Sequence, residues 1–192
     1  MVLAYAVIFF AGVALLLRRD FGRIGQLPYR GGWPAAILVV AFFALQAKWA
    51  IYTDGPFTRQ GLILVGTQAG LMLLALINYR LPGAKLFILG IFLNILVMTA
   101  NGGWMPLTPQ MYQFVYPDRT ITAGDKPFGS KNIIRPRAET NLPFLADIIP
   151  VTLPWRRTVM SAGDVVMMIA VARFILASTA VPRPTPPAIR TN

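Results

Sequence analysis

Three carboxylates are the residues of this chain whose chemistry suits acid–base work. Glu139, Asp147 and Asp164 lie within or beside its one long polar segment. Two carboxylates in different surroundings can divide the roles of general acid and general base. No nucleophile, metal motif or cofactor motif accompanies them, and an active site needs several groups in defined roles. The sequence therefore favours a non-enzymatic protein without deciding the question. We expect Glu139 and Asp147 to pair with nearby arginines, namely Arg135, Arg137, Arg156 or Arg157.

Two amide side chains, Gln68 and Asn94, stand inside long apolar blocks. Gln68 lies between Gly66 and Gly70, a spacing of small residues that lets another helix approach closely. Packing within the same bundle is the simpler interpretation, and contact with a partner subunit is the alternative. For Asn94 the simpler interpretation is a hydrogen bond between neighbouring helices. The alternative, for Asn94 and also for Gln68, is contact with the polar group of a bound cofactor, such as a quinone carbonyl.

The elements that carry these residues are predicted from hydropathy. Hydrophobic residues make up 56% of the 192 residues and charged residues 13%, and the apolar positions occur in blocks. Because lipid cannot satisfy backbone hydrogen-bonding groups, we predict a helix for each block of about 17 residues or more. The blocks cover residues 1–17, 35–52, 62–79, 84–100 and 159–181. The sequence thus predicts an all-α membrane protein with about five transmembrane helices in a single domain, 1–192.

Two further segments complete the predicted architecture. Residues 101–158 form a long extracytoplasmic loop between helices four and five, and residues 182–192 form a Pro-rich cytoplasmic tail. Basic residues in the first loop, the third loop and the tail place the N-terminus outside and the C-terminus in the cytoplasm. The net charge of +11 then follows from topology. No basic face for nucleic acid is indicated.

The chain contains no cysteine and no histidine. This composition excludes disulfides, thiolate chemistry, His-ligated haem and the usual zinc sites. We therefore expect no metal and no covalently held cofactor, whereas a bound lipid, quinone or carotenoid is compatible with the composition. Arg173, past the middle of the last predicted helix, suits contact with a partner subunit or an anionic lipid. Trp104 suits an interface in the same way.

Both ends of the polar segment carry signals that end or begin a helix. Asn101 and the two glycines after it tolerate left-handed backbone angles, which end a helix. Ser161 and Asp164 have the spacing of a capping box, which begins one. Between these signals we expect residues 105–116 and 142–155 to lie on the membrane surface. We therefore interpret the segment as a rigid docking surface, and only secondarily as a catalytic loop.

Five short motifs occur in a distinctive order along the chain. They are Asn94, Asn101-Gly102-Gly103-Trp104-Met105-Pro106, Glu139-Thr140-x-Leu142, Leu145-Ala146-Asp147 and Ser161-x-Gly163-Asp164. In this combination the chain resembles a family of uncharacterised bacterial integral membrane proteins, a domain of unknown function. The family pattern usually has a His shortly before the Glu-Thr pair, whereas residues 131–135 of this chain contain none. The resemblance implies a bacterial membrane location and supplies no function.

Two functions from different classes remain open at this point. The first is a non-catalytic accessory subunit of a larger bacterial membrane complex, in photosynthetic or respiratory electron transfer. Its partners would be other membrane subunits and lipids. The second is a stand-alone membrane enzyme or carrier for a lipid or small molecule, which would use Glu139, Asp147 and Asp164 at the outer face. Either protein would lie in the bacterial inner (plasma) membrane.

Overall fold

Each apolar block of the sequence folds as a helix. The computed structural model describes residues 2–49, 59–127 and 130–180, so the predicted tail 182–192 lies outside the described residues. The α-helices are α1 (Val2–Leu16), α2 (Gly32–Trp49), α3 (Arg59–Ile77), α4 (Ala84–Ala100), α5 (Pro109–Val115) and α6 (Ala162–Ser178). Short 3-10 turns cover Phe21–Gln26 and Arg137–Glu139. The five long α-helices, α1 to α4 and α6, correspond to the five predicted blocks, whereas α5 was not predicted.

One helix of the described part, α3, is long and apolar enough to cross a bilayer by length and composition. The others are shorter: α1 has 15 residues, α2 has 18, and α4 and α6 have 17 each. At about 1.5 Å per residue they are roughly 22–27 Å long, against roughly 28 Å for α3 and about 30 Å for the hydrocarbon core. The prediction of five transmembrane helices is therefore not supported. The prediction of a predominantly helical fold is confirmed.

The five long helices pack in the order α2, α3, α4, α6, α1. Two glycines set the distance between α4 and α6. A Cβ added to Gly90 would lie 2.7 Å from the carbonyl oxygen of Gly163, and one added to Gly163 would lie 2.6 Å from that of Gly90. No side chain fits at such separations, which is why small residues occupy close helix crossings. The crossing also fixes the position of Asp164, the next residue of α6.

The segment between α4 and α6 is a small folded unit, which we call the cap (the described part of residues 101–160). Strand β1 (Met105–Leu107) pairs in parallel with β2 (Asn132–Ile134), and β3 (Ile149–Leu153) pairs with β4 (Arg156–Met160) as an antiparallel hairpin. The prediction of an all-α fold is thus correct for the helical majority and wrong for the cap, where these two small sheets form.

The cap is packed onto the bundle. One hydrophobic cluster joins Trp104, Met105, Ile133, Leu145 and Ala146 of the cap to side chains of α3 and α4, namely Leu64, Val97 and Met98. The residues of β1 are fully enclosed. Residues 105–116, which we expected on the membrane surface, instead form the buried strand β1 and the helix α5. Residues 142–155 include β3, and their side chains Phe144 and Trp155 are 60% and 66% exposed, so a position of this segment at the membrane surface stays a prediction.

Asn101 connects the end of α4 to the cap. Its amide nitrogen donates to the carbonyl oxygens of Val97 and Asn141, each at 2.8 Å. Its amide oxygen accepts from the backbone nitrogen of Asn141 at 3.0 Å and from the Arg135 guanidinium at 3.2 Å. The side chain is 1% exposed, so these four bonds satisfy a buried amide completely. The residue predicted to end a helix therefore also holds the cap in place.

Replacing Asn101 with Ala should destabilise the protein. Several buried polar groups would lose their partners, and each such group costs about 1–3 kcal/mol. We expect the melting temperature of the purified protein in detergent to fall by roughly 5–10 °C. Gln113→Ala, at an exposed position on α5, is the control. Equal melting temperatures for the two variants would show that Asn101 does not hold the cap.

Candidate functional site

A cavity of about 310 Å³ lies between the cap and the helices. All five long helices contribute to its wall, and the cap closes its upper side. Polar groups line the end nearest the cap, and these are Asn94, Ser130, Lys131, Asn132, Asp147, Arg156 and Asp164. Apolar side chains line the end between the helices, and these include Leu3, Phe43, Leu71, Phe87, Ile91 and Met167. The amides of Gln46 and Gln68 also line it, so what distinguishes the end nearest the cap is its charged side chains.

Asp164 is held at the polar end by bonds to both oxygens of its carboxylate. The amide nitrogen of Asn94, from α4, donates to one oxygen at 3.1 Å, and the backbone nitrogen of Ser161 donates to the other at 3.2 Å. The ammonium group of Lys131, from the cap, lies 3.7 Å from the second oxygen. The Asp164 backbone nitrogen in turn donates to the Ser161 hydroxyl at 3.0 Å, which completes the predicted capping box.

Asn94 bridges α4 and the start of α6, as the simpler interpretation of this residue predicts. Besides donating to Asp164, it accepts a hydrogen bond from the Ser161 hydroxyl at 2.8 Å. Both ends of its amide are therefore used. Asn94 is 2% exposed and also lines the cavity. Asn94 therefore joins two helices and also forms part of the cavity wall.

Asp147 differs from Asp164 because one of its oxygens has no protein partner. The amide nitrogen of Asn132 donates to one carboxylate oxygen at 2.8 Å. The other oxygen, Oδ1, is buried and has no hydrogen-bond partner among the described residues. The side chain is 3% exposed and lines the cavity. A buried carboxylate oxygen without a partner is costly, so it favours the binding of a hydrogen-bond donor at this point.

The surroundings of Asp147 change its acidity. Burial raises the pKa of the Asp147 carboxyl to about 6, against the opposing effects of the Lys131 ammonium and the Asn132 hydrogen bond. The nearby carboxylate of Asp164 adds to the increase. Burial lowers the pKa of Lys131, but the attraction of Asp164 and Asp147 outweighs that effect and the net direction is upward. Lys131 is thus a cation at neutral pH. The Asp147 carboxyl, with its pKa of about 6, changes its charge not far below neutral pH.

The structure brings together four of the residues singled out in the sequence and leaves others apart. Gln68, Asn94, Asp147 and Asp164 line the same cavity. Glu139 is exposed in a 3-10 turn and does not line it. The described part holds no group of three or more potential metal-binding His, Cys, Asp or Glu side chains.

The residues predicted to contact a partner lie in different environments. A Cβ added to Gly70 would meet the Phe42 ring of α2 at 2.7 Å, so this glycine packs inside the bundle. Gly66 and Arg173 are exposed, and Gly66 faces open space. Trp104 is 1% exposed, with the Lys126 ammonium 4.7 Å from its ring centre. Their contact with another subunit stays a prediction.

Sequence reasoning missed Lys131 and Asn132, the two cap residues that face the carboxylates. Both stand at the start of the short apolar run Ile133–Ile134, and this position at a strand end was the available signal. Their role depends on the parallel pairing of β2 with β1, which connects residues far apart in the chain. The observed ion pair joins Lys131 to Asp164, and the expected pairing of Glu139 and Asp147 with the nearby arginines stays a prediction.

The raised pKa of Asp147 predicts a pH dependence of stability. Its pKa of about 6 in the folded protein exceeds the ordinary 3.8, so the folded state binds the proton more tightly. The stabilising contribution of this proton is complete below the ordinary value and is lost as pH rises through 6. Asp147→Asn should remove this dependence, which amounts to at most about 3 kcal/mol. The melting temperature of the variant minus that of the wild type should therefore increase as the pH is raised from 4.5 to 7.

Glu139→Gln makes the same chemical change at an exposed carboxylate and is the control for this measurement. Distant groups are shared by all variants and cancel in the comparison, so the difference from wild type reports Asp147 together with the groups that interact with it, Lys131 and Asp164. Parallel melting profiles for Asp147→Asn and the wild type across this pH range would contradict the assignment.

Comparison with known proteins places the chain among relatives without an established function. It is 35% identical over 102 residues to an uncharacterised protein of Thermotoga maritima, an alignment that covers 52% of this chain and 54% of the relative. The chain thus spans about half the length of the curated relative it matches. No solved structure matches it. The model of a protein family of unknown function matches residues 32–176, and the chain therefore belongs to that family, DUF5317.

Proposed function

We propose that this chain is a bacterial membrane protein that binds the polar head of an amphiphilic molecule in the cavity beneath the cap. The observation that carries the proposal is the buried oxygen Oδ1 of Asp147, which lines the cavity without a hydrogen-bond partner among the described residues. Buried polar atoms are almost always paired, so an unpaired one at a cavity wall indicates a missing donor. A ligand hydroxyl or amide N–H supplies that donor.

The charges around the cavity favour a neutral head. Lys131 and Arg156 contribute two positive charges, and Asp147 and Asp164 contribute two negative charges when both are ionised. A charged ligand would add an uncompensated charge to this half-buried site, which is unfavourable. A neutral group with a hydrogen-bond donor leaves this balance intact. The polar head of the ligand is therefore expected to be uncharged.

The surface of the helices supports a lipid environment. Large apolar side chains stand far out of the protein on several helices, with Ile8 of α1, Val40 of α2 and Leu62 of α3 each 68% exposed. Soluble monomers rarely expose such contiguous apolar surface. In this proposal all five long helices are embedded in the bacterial plasma membrane. The N-terminus and the cap lie outside and the C-terminus lies in the cytoplasm. The shorter helices are accommodated by local thinning of the bilayer.

The cavity favours a carrier or binding protein over an enzyme. The two hydroxyls near the carboxylates, Ser130 and Ser161, donate their protons to the amide oxygens of Asn132 and Asn94. Neither hydroxyl therefore donates to a carboxylate that could act as its base, as an activated nucleophile requires. The accessory-subunit hypothesis stays a prediction. Neither the contacts nor the relatives support a link to electron transport or photosynthesis.

Asp147→Asn should lower the retention of the bound molecule. The oxygen of the new asparagine can still accept the hydrogen bond from Asn132. Its NH₂ group then faces the cavity, where it cannot accept the hydrogen bond that the ligand donates. Loss of a hydrogen bond to a charged group corresponds to about a tenfold to hundredfold loss of affinity. The measurement is native mass spectrometry of the protein purified from its own membranes in mild detergent, which reports the mass of any bound small molecule.

Glu139→Gln serves as the matched control, because it neutralises a carboxylate outside the cavity. We expect the bound mass in the wild type and in Glu139→Gln, and a strong decrease in Asp147→Asn. If the wild type retains no small molecule, Oδ1 of Asp147 binds only water and the proposal is wrong. Equal retention in Asp147→Asn and the wild type would also contradict it.

A further inference from the structure

A second cavity, of about 670 Å³, lies at the end of the bundle away from the cap. The beginnings of α2 and α4, the end of α3 and the later part of α6 form its wall. Apolar side chains such as Leu74, Ala75, Ala84 and Phe174 dominate the lining. Its few polar groups, including Arg30 and Asn78, belong to the connections outside the long helices or to their ends. This cavity suits a hydrocarbon chain and offers little to a polar group.

The two cavities adjoin each other and share part of their walls. Phe43 of α2, Leu71 of α3 and Phe87 of α4 line both of them. These three side chains form the junction. A methylene chain passes such a junction without losing hydrogen bonds, whereas a hydroxyl or a charge would be desolvated there without compensation. The junction therefore separates the place of a polar head from the place of an apolar chain.

The distance along the helices suits an extended molecule. Asn94 marks the polar end of the first cavity, and Ala84 at the start of α4 lines the second. Ten residues of α4 separate them, which corresponds to about 15 Å along the helix axis. A ligand that occupies both cavities is therefore a long-chain molecule.

We propose that the two cavities form one binding site for a neutral long-chain alcohol, a molecule with one hydroxyl head and one hydrocarbon chain. The hydroxyl donates its hydrogen bond to Oδ1 of Asp147. The chain passes Phe43, Leu71 and Phe87 and ends in the second cavity beside Ala75 and Phe174. This inference rests on the proposed function and adds the class of ligand and the path of its chain.

The test uses photoactivatable alcohols with the purified full-length chain in lipid nanodiscs. One probe is hexadecanol with a diazirine at the far end of its chain, and the other is butanol with a diazirine. Mass spectrometry locates the labelled residues, and only labelling that excess unlabelled hexadecanol suppresses is counted. We expect the hexadecanol probe to label the wall of the second cavity around Leu74 and Phe174. The butanol probe should label the first cavity, and Asp147→Asn should reduce labelling by both probes.

Ala75→Phe places an aromatic ring in the second cavity and should lower competable labelling by the hexadecanol probe about tenfold. Labelling of the first cavity by the butanol probe should remain unchanged. Leu73→Phe is the matched control, because Leu73 lies on the same helix, is 59% exposed and lines neither cavity. Melting temperatures of both variants check that each is folded.

The outcomes separate this inference from the proposed function. If the butanol probe labels the first cavity in an Asp147-dependent way while the hexadecanol probe labels only outward residues such as Val40, the path of the chain is wrong. The proposed function would stand in that case. An Ala75→Phe variant that behaves like Leu73→Phe would also overturn the path. If no probe labels the first cavity in an Asp147-dependent way, the proposed function fails as well.

Discussion

The arrangement of this protein depends on one half-buried carboxylate, that of Asp164 at the beginning of α6, whose side chain is 17% exposed. An ion removed from water without partners costs several kcal/mol, so each group that meets Asp164 must be held in position. Asn94 reaches it from α4, Ser161 from the same helix end, and Lys131 from the cap. The positive end of the helix dipole also favours a negative charge there. Helix packing, helix capping and the seating of the cap thus converge on one side chain.

The two cavity carboxylates differ because one is fully partnered and the other is not. Asp164 has partners on both oxygens and holds α4, α6 and the cap together. Asp147 receives one hydrogen bond from Asn132 and leaves Oδ1 open. A saturated carboxylate has little left to offer a ligand, whereas a half-satisfied one lowers its free energy by accepting another donor. In the proposed function, stability and ligand binding therefore depend on different residues of the same wall.

Local patterns predicted much of this fold, and pairings between distant residues account for the rest. The five long helices follow from runs of apolar residues, and the capping box and the bridging role of Asn94 follow from residue type and spacing. The cap could not be predicted in this way. Its parallel strand pair joins Met105 to Asn132, and no periodicity within either segment indicates that register. Its aromatic and Met-rich residues have the composition of a membrane-surface segment as well as that of a core. Burial inside the protein decided between these environments.

The cap and the bundle form one functional unit because the cavity needs residues from both. Asp164 and Asn94 belong to the helices, whereas Lys131, Asn132 and Asp147 belong to the cap. The cap is fixed in position by the four hydrogen bonds of Asn101 and by the contact of Gly103 with α3, where an added Cβ would lie 2.6 Å from the Cα of Gly61. The same docking places Lys131 of the cap within ion-pair distance of Asp164, a pair whose side chains are 31% and 17% exposed. The polar segment therefore closes one end of the cavity, and its role as a docking surface for another protein stays a prediction.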